Sequence, residues 1–389
     1  MGTAQRMVEL PMRCNSRKLI FFVAVDWFFC SHFMERAKAA RNAGYEVIVV
    51  TSIENHRWDI ENAGLRIIDL GIDRRSLSLF SAIGTIKQLI SVLRKENPDI
   101  LHQVAIKPIL LGGVAARIAG VRRIVNAVVG GGYAYTSTAP FMRVLRPLIE
   151  VALKLLLNPQ RSRVIFENRD DMASFIGARQ ARPEAAVLIR GAGVDFNLYS
   201  ERSAPNVIPL VMLPARLLWE KGLGEFVAAA RLLRNRNVKA RFAIVGNEDI
   251  GNRGSIPVSV LTQWKAEEIV ELWGFRSNMP QVLRDADIVC LPSYREGLPK
   301  ALLEGMAAGL PCVTTNVPGC REAVIDGENG LLVPPKDYLS LANALQQLIL
   351  NPALRLMMGN RGRVMAETEF ASSIICLQTL QVYEDLLQS

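Results

Sequence analysis

The feature that most constrains the fold is a repeated alternation of short apolar runs with segments of helical spacing. In the first half of the chain the apolar runs, rich in β-branched and aromatic residues, cover residues 19–25, 45–51, 65–70, 100–104 and 124–129. Segments with helical periodicity lie between them, for example residues 79–95 and 110–119. Continuous apolar strands that alternate with helices predict a parallel sheet covered on both faces.

The same alternation begins again in the second half. After a short run at 187–189 and Gly191-Ala-Gly-Val-Asp195, a polar stretch containing Pro205 and Pro209 interrupts the periodicity. Apolar runs then resume at 208–213, 241–245, 269–273, 288–291 and 312–315. The 389-residue length fits two domains. We therefore expect two Rossmann-like, doubly wound α/β domains, residues 1–200 and 201–370, and a C-terminal helix within 371–389 that packs back on the first domain.

Open parallel sheets bind ligands outside the carboxyl ends of their strands. With two such sheets, the sequence predicts a ligand site in a cleft that the two domains face.

The charge is unevenly divided between the halves. Residues 1–200 have a net charge of +10 and residues 201–389 have −1. The first half therefore favours an anionic partner: a phosphate-bearing substrate, an anionic lipid surface or a nucleic acid. The chain contains no RNP, helix-turn-helix or zinc-finger pattern, which argues against nucleic acid.

Cysteine and histidine usage argues against a metal site. The six cysteines are scattered without CxxC spacing, and the chain has three histidines. These residues offer no recognisable set of zinc ligands, so we expect reduced thiols and no metal. Neither a secretory signal nor a membrane-spanning apolar run is present, which predicts a cytoplasmic protein.

The stretch from Leu291 to Glu304 places two carboxylates around a helix start. Glu296 precedes the predicted helix and Glu304 lies about one and a half turns inside it. Free N–H groups and the positive end of the helix dipole suit a diphosphate. The two carboxylates could accept hydrogen bonds from sugar and ribose hydroxyls. The alternative is a pair of exposed glutamates that cap the helix.

A second basic motif follows the first strand of the second domain. Arg216 can bind two phosphate oxygens, Lys221 adds a compact positive charge, and Gly222 allows a close backbone approach. The alternative is that both cations are ordinary solvated surface residues. Their joint occurrence with Glu296 and Glu304 favours the phosphate-binding interpretation.

These motifs resemble glycosyltransferase family 4. The resemblance covers most of residues 205–370 and extends to the first half. It rests on Arg216, Lys221, Gly246, Ser293-Tyr-Arg-Glu-Gly297, the Glu296/Glu304 pair, Pro318-Gly-Cys-Arg-Glu322, Asn329-Gly330, Asp26-Trp-Phe-Phe-Cys-Ser-His32, His102, Ile106-Lys107-Pro108 and Gly191-Ala-Gly-Val-Asp195. The similarity is greatest to the branch that builds bacterial surface polysaccharides on a polyprenyl-diphosphate carrier.

The resemblance implies a GT-B fold and transfer of a sugar with retention from a nucleotide-sugar donor to a lipid-linked or polysaccharide acceptor. It implies that Arg216, Lys221 and Glu296 are catalytic. The implied donor site comprises those three with Gly246, Phe275, Gly297, Leu298 and Glu304. No metal is implied, because fixed cations and a helix start can stabilise the leaving diphosphate. A UDP-linked N-acetylhexosamine or related hexose is the expected donor.

The first domain is expected to supply the acceptor or donor-sugar side through Asp26, His102, Lys107 and Gly131. Here the chain departs from the family, because the turn after its first strand is bulky, at residues 26–29, and the glycine-rich turn lies at 130–133. A helix-capping aspartate, a buried histidine, a solvated lysine and a flexible glycine turn are the respective alternatives.

Residues 140–158 form an unusually apolar helical pattern with Arg143, Arg146, Glu150 and Lys154 on one stripe. Such a helix is either a core helix or one that presses into a bilayer. The basic first half favours an anionic membrane, so we expect a peripheral protein on the inner face of the plasma membrane.

Two other functions fit a chain of this kind. One is a sugar-nucleotide epimerase on the same scaffold, and the other is a non-catalytic assembly subunit, which would not need the four residues of the donor motif. A dinucleotide oxidoreductase is disfavoured because no GxGxxG motif opens either domain.

Overall fold

The computed structural model describes residues 17–72, 78–130, 140–199, 206–249, 252 and 254–388. Two parallel sheets form its framework, as the alternating pattern predicts. The first has seven strands, in the order β3-β2-β1-β4-β5-β6-β7, and the second has six, in the order β10-β9-β8-β11-β12-β13. The prediction of two doubly wound α/β domains is therefore confirmed.

The strands are short. Those of the first sheet are β1 Lys18–Phe22, β2 Glu46–Thr51, β3 Arg66–Asp69, β4 Ile100–Val104, β5 Ile124–Val128, β6 Ser162–Phe166 and β7 Ala186–Leu188. Those of the second sheet are β8 Leu210–Pro214, β9 Arg241–Val245, β10 Glu271–Gly274, β11 Ile288–Leu291, β12 Cys312–Thr315 and β13 Gly330–Val333.

Helices separate the strands. In the first half they are α1 Asp26–His32, α2 Met34–Asn42, α3 Arg57–Asn62, α4 Leu79–Glu96, α5 Ile106–Ala119, α6 Pro140–Leu156 and α7 Arg169–Gly177. In the second half they are α8 Leu223–Asn235, α9 Val258–Ala266, α10 Met279–Leu283, α11 Lys300–Ala307, α12 Cys320–Ala323, α13 Tyr338–Leu350, α14 Pro352–Thr368 and α15 Ser372–Gln388.

Burial explains why the central strands have unbroken apolar sequences. All five residues of β4, β5 and β8 are buried. Strand β8 pairs in parallel with β9 over its whole length, from Leu210 opposite Arg241 to Pro214 opposite Val245. A strand covered by helices on both faces has no solvent-facing positions, so it lacks the polar alternation of a half-exposed strand.

Two strands are absent from the pattern read in the sequence. Strand β6 begins with Ser162 and Arg163, and β13 begins with Gly330, directly after Asn329. Each therefore offers only a short apolar core next to polar or turn-forming residues, which hides it from a search for apolar runs.

The strand order reverses once in each sheet. In the first sheet the neighbours at the reversal are β1 and β4, and in the second they are β8 and β11. The loops that follow two such strands diverge to opposite faces of the sheet and leave a crevice at their carboxyl ends. Each sheet therefore has one topological switch point where a ligand can bind.

By its internal contacts the chain divides into two compact units. The first comprises Met1–Ala127, Val151–Val164 and Cys376–Ser389, and the second comprises Val128–Glu150 and Ile165–Ile375. The end of α15 thus belongs to the first unit. There a 2.7 Å hydrogen bond joins Tyr383 Oη to His102 Nδ1, and Tyr45 Oη donates to Glu384 Oε1 at 2.7 Å.

Candidate functional site

The candidate donor site lies at the switch point of the second sheet, where the loops after β8 and β11 are adjacent. Gly222, at φ +74°, lies so close to the other loop that an added Cβ would be 2.1 Å from Pro292 O. The Tyr294 amide also donates to Glu220 O at 2.9 Å. Only glycine allows this approach, which brings the two loops together.

Lys221 and Glu296 meet where these loops meet. Lys221 Nζ lies 2.6 Å from Glu296 Oε1, and the side chains are 17% and 11% exposed. Neither residue is therefore an isolated, solvated surface charge. The pair is separated by 75 positions in sequence, yet it forms because β8 and β11 are neighbours in the sheet.

Arg216 lies in the same loop as Lys221 and contacts an acidic residue that the sequence analysis missed. Its Nη1 lies 2.5 Å from Asp249 Oδ2, and the Asp249 side chain is 5% exposed. Asn252 Nδ2 also donates to this carboxylate at 3.0 Å. Asp249 therefore orients Arg216. The only sequence signal is an acidic residue three positions after Gly246.

Gly246 borders a pocket of about 460 Å³, within the usual size of a small-molecule site. An added Cβ on Gly246 would lie 1.9 Å from Ala215 O, so a side chain is excluded there. Gly274 and Asn247 also line the pocket. Asn247 Oδ1 accepts the Phe275 amide at 3.0 Å, and the Phe275 ring is 64% exposed.

Glu304 lies inside α11 with its side chain 12% exposed. Lys300 Nζ is 3.5 Å from its carboxylate, and Tyr199 hydrogen-bonds to it. Burial raises the pKa of Glu304 above its ordinary 4.5, while Lys300 and Tyr199 act in the opposite direction. The alternative of two exposed helix-capping glutamates does not fit, because Glu296 and Glu304 are both largely buried.

Within the motifs of residues 318–330, Gly319 and Asn329 have structural roles. Gly319, at φ +79°, packs against this loop so tightly that a Cβ would be 2.2 Å from Gly297 O. Asn329 is buried, accepts the Ile325 amide and donates to Ala323 O. Gly319 therefore packs against the backbone of the Glu296 loop, and Asn329 closes the turn between α12 and β13.

Gly297 and Leu298, which the sequence also assigns to the donor site, are closely packed against neighbouring residues. A Cβ on Gly297 would lie 2.3 Å from Glu167 Oε2, and Asn168 Nδ2 donates to Gly297 O at 2.8 Å. Leu298 is 5% exposed and packs in the core of the second unit. Only the backbone of these two positions remains available to a ligand.

At the switch point of the first sheet the structure places Asp26 and Lys107. Asp26 is fully buried, and its Oδ2 accepts the amides of Glu54, Asn55 and His56. Asp26 therefore accepts backbone amides, as the helix-capping alternative supposes. The amides belong to the loop before α3, however, and not to the helix that Asp26 begins. Lys107 lies half-buried in the first turn of α5.

Ala105, between β4 and α5, has φ +72° and ψ 163°, a region that glycine alone populates readily. Strain of this kind concentrates at functional sites. Nothing in the sequence reveals it, because an alanine gives no turn signal.

His102 is fully buried beneath this point, with its ring centroid 4.9 Å from that of Phe21. Burial lowers its pKa well below the ordinary 6.5, with Arg36 acting in the same direction, so the imidazole is neutral. Its Nε2 has no hydrogen-bond partner among the described residues. His102 therefore has the buried environment that the alternative interpretation, a buried histidine, describes. Gly131, the fourth predicted residue on this side, lies outside the described residues.

Helix α6 has two apolar sides. Leu153 and Leu156 are buried, whereas Leu148, Val151 and Leu155 are 63%, 59% and 58% exposed. The Arg143 side chain lies outside the described residues. Across the part of the chain that the structure describes, no helix combines the length and apolarity needed to cross a membrane.

Comparisons with known proteins agree on both halves of the chain. Residues 208–351 match the family of glycosyl transferases group 1, and residues 18–168 match the glycosyl transferase 4-like family.

Two relatives are similar over most of their length. An N,N'-diacetylbacillosaminyl-diphospho-undecaprenol alpha-1,3-N-acetylgalactosaminyltransferase of Campylobacter jejuni is 27% identical over 92% of this chain and 96% of the relative. A UDP-Gal:alpha-D-GlcNAc-diphosphoundecaprenol alpha-1,3-galactosyltransferase of Escherichia coli is 28% identical over 74% of this chain and 75% of the relative.

Among solved structures, Anabaena HepE in complex with UDP superposes with a TM-score of 0.75 at 19% identity, covering 95% of this chain and 100% of HepE. Sucrose-phosphate synthase of Thermosynechococcus elongatus superposes with a TM-score of 0.80 at 19% identity, covering 96% and 99%.

Proposed function

Because the chain belongs to the glycosyltransferases, with a group 1 domain in its second half and a 4-like domain in its first, we propose that it transfers a sugar, with retention, from a nucleotide-sugar donor to a lipid-linked acceptor. The observation that carries the proposal is the Lys221–Glu296 pair beside Arg216 at the switch point of the second sheet.

The pair supports a division of labour during donor binding. A diphosphate carries more charge than one carboxylate, so it competes with Glu296 for the Lys221 ammonium. Arg216, with a planar guanidinium, binds phosphate oxygens in a fixed geometry. Glu296 is then free to accept hydrogen bonds from sugar hydroxyls, and Glu304 from the ribose.

The same cations serve the chemical step. When the bond from the anomeric carbon to the diphosphate breaks, negative charge grows on the departing phosphate oxygen. Until the donor binds, Glu296 and Asp249 hold Lys221 and Arg216 in place, so both cations are already positioned for the phosphates. Preorganised charges of this kind stabilise a transition state without reorganisation at the moment of reaction.

For the donor we propose a UDP-linked hexose or N-acetylhexosamine. The Escherichia coli relative is named for UDP-Gal, and the Campylobacter relative transfers N-acetylgalactosamine. The pocket beside Gly246 and Gly274 has room for the base.

For the acceptor we propose a sugar on a polyprenyl diphosphate, as the names of both relatives state for those proteins. Such a lipid lies in a membrane. We therefore also propose that the exposed apolar residues of α6, with Arg143, Arg146 and Lys154, contact an anionic membrane surface on its inner face.

A donor screen tests the proposal. Full-length protein is heated with UDP, UDP-linked hexoses and N-acetylhexosamines, and the corresponding ADP- and GDP-linked sugars. A true donor stabilises the native state by about 2.7 kcal/mol at 100 times its Kd. We expect one UDP-sugar to raise the melting temperature and Lys221→Ala to lose most of that shift. No shift with any nucleotide sugar would remove the donor assignment.

A second measurement separates transfer from epimerisation. The stabilising donor is incubated with and without a polyprenyl-diphosphate-linked sugar, and products are followed by NMR. We expect product only with acceptor, and the donor's anomeric configuration in the product. An altered nucleotide sugar formed without acceptor would instead identify an epimerase.

A further inference from the structure

Three side chains with metal-binding atoms converge in the first unit. Cys30 lies on α1, His56 directly precedes α3, and Asp59 lies in α3. One ligand atom of each, the sulfur, a ring nitrogen and a carboxylate oxygen, lies within 4.8 Å of the other two. A separation of 26 positions between Cys30 and His56 conceals the cluster in the sequence.

The cluster is held in place by a buried carboxylate. Asp26 Oδ2 accepts the amides of Glu54, Asn55 and His56 at 2.8, 2.9 and 2.8 Å. Asp26 begins the helix that carries Cys30 one turn later, so these bonds tie the loop of His56 to that helix. A further contact of 2.7 Å between His56 Nδ1 and Asp59 Oδ2 keeps their side chains together. Metal sites depend on supporting contacts of this kind.

The local charge favours a cation. Cys30 and His56 are half-buried, and a carboxylate oxygen of Asp59 lies within 4.8 Å of a ligand atom of each. Asp26, one helical turn before Cys30, adds a second, fully buried carboxylate nearby. The two carboxylates attract a divalent ion, and Lys38 opposes that attraction.

We propose that Cys30, His56 and Asp59 bind one Zn²⁺ ion, with water in the fourth position. Thiolate, imidazole and carboxylate are the ligands of zinc sites, whereas Mg²⁺ prefers oxygen alone. Tetrahedral zinc places its ligand atoms roughly 3.3–3.8 Å apart, given bonds of about 2.0–2.3 Å. The three side chains reach this geometry by shifts of about 1 Å, well within side-chain motion. The bound ion would link α1 to α3.

The test uses full-length protein freed of metal with EDTA and then dialysed. Zn²⁺ binding is measured by calorimetry, and Co²⁺ serves as a spectroscopic substitute whose thiolate charge-transfer band reports a sulfur ligand. The variants are Cys30→Ser, His56→Gln and Asp59→Asn. Cys376→Ser, which removes another half-buried cysteine of the first unit, is the matched control.

We expect one equivalent of Zn²⁺ and a Co²⁺ thiolate band in the wild type and in Cys376→Ser. Each ligand variant should weaken Zn²⁺ binding by at least about tenfold. Cys30→Ser, which exchanges a single atom and leaves the fold least disturbed, should also lose the band. Unchanged Zn²⁺ affinity in folded Cys30→Ser, or a wild-type Co²⁺ spectrum without that band, would overturn the proposal.

Discussion

Lys221 and Glu296 neutralise each other in the structure, and this pairing determines what each residue can do. The 2.6 Å contact keeps the ammonium at one place, so its position is set before a donor arrives. Asp249 does the same for Arg216. Two cations with fixed positions in one loop are the arrangement that the stabilisation of a leaving diphosphate requires.

We predict that Arg216→Ala and Lys221→Ala each lower kcat by about 10²–10³-fold, because each removes a fixed positive charge from the leaving group. Lys239→Ala is the matched control, since Lys239 is exposed just before β9, at the amino ends of the strands, whereas the donor site lies at their carboxyl ends. Steady-state kinetics with the identified donor and circular dichroism measure activity and folding. Near-wild-type kcat in either folded variant would exclude that residue from the role.

Glu304 gives a prediction about stability and pH. Its raised pKa means that the native state holds the proton more tightly than the unfolded chain. The stability linked to this proton is present below the ordinary pKa of 4.5 and is lost as pH rises through the native pKa. Glu304→Gln mimics the protonated side chain. The variant should therefore gain stability relative to wild type as pH rises from acidic to neutral.

Urea unfolding across that pH range measures the difference. Glu367→Gln provides the control, because it makes the same exchange at an exposed glutamate, on α14. A stability difference that stays constant with pH for Glu304→Gln would contradict the burial argument.

The charged residues of the candidate donor site could be predicted from the sequence, because they occur at a recognisable spacing. Arg216, Lys221, Glu296 and Glu304 all lie around the switch point of the second sheet. Asp249 could not be predicted, because its partnership with Arg216 depends on the pairing of β8 with β9. The three amides bound by Asp26 likewise come from a loop 28 to 30 positions away.

At the scale of elements, the periodicity of the sequence predicted where helices lie. The main error of this prediction was in the residues at which the helices begin and end. Helix α5 begins at Ile106 rather than 110, because its first turn contains Pro108, which weakens the helical pattern but is tolerated at the start of a helix. Periodicity identified α6 as a helix and left open what covers its apolar residues.

Helix α6 gives the membrane prediction. Wild-type protein should float with anionic vesicles, less so at high salt, because charge attraction is screened over about 8 Å at physiological ionic strength. Arg143→Glu/Arg146→Glu should float much less, since each basic residue near the surface contributes about 1 kcal/mol.

The control is Lys239→Glu/Arg361→Glu, which makes the same charge change on exposed residues of the second half. It should float like the wild type. Equal flotation of the α6 variant and this control, or no flotation of wild type on any vesicle, would rule out the membrane contact.

Helix α15 gives a packing prediction. Tyr383→Phe removes the hydrogen bond to His102 Nδ1 and leaves a buried polar atom without that partner. We expect a loss of about 1–3 kcal/mol in the free energy of unfolding. Leu377→Ala on the same helix removes a side chain that is 67% exposed and should cost far less. Equal losses in the two variants, measured by urea unfolding, would refute the role of this hydrogen bond.

At the scale of the whole molecule, the GT-B fold and glycosyltransferase family predicted from the sequence are confirmed by the two sheets and by the matches over both halves. This much was predictable because buried parallel strands and clustered charged motifs leave strong sequence signals. The assignment of chain segments to the two units was not predictable, because segments far apart in the sequence belong to the same unit.

At the donor site, sugar transfer should need no divalent metal. We predict that turnover survives EDTA, because Arg216 and Lys221 supply the positive charge that a metal would otherwise provide. Activity is compared before and after chelation, and again after addition of Mg²⁺ or Mn²⁺. Complete loss with EDTA and recovery with either ion would contradict the prediction.

The return of the chain end to the first unit has a consequence for biosynthesis. That unit ends with Cys376–Ser389, so a ribosome that has made residues 1–127 has not yet supplied the partner of His102. At about 5–20 residues per second, roughly 10–50 s pass before Tyr383 is translated. During that interval the rings of Tyr45 and His102, which pack against Tyr383 in the folded protein, lack this cover, so the nascent domain leaves part of its core exposed.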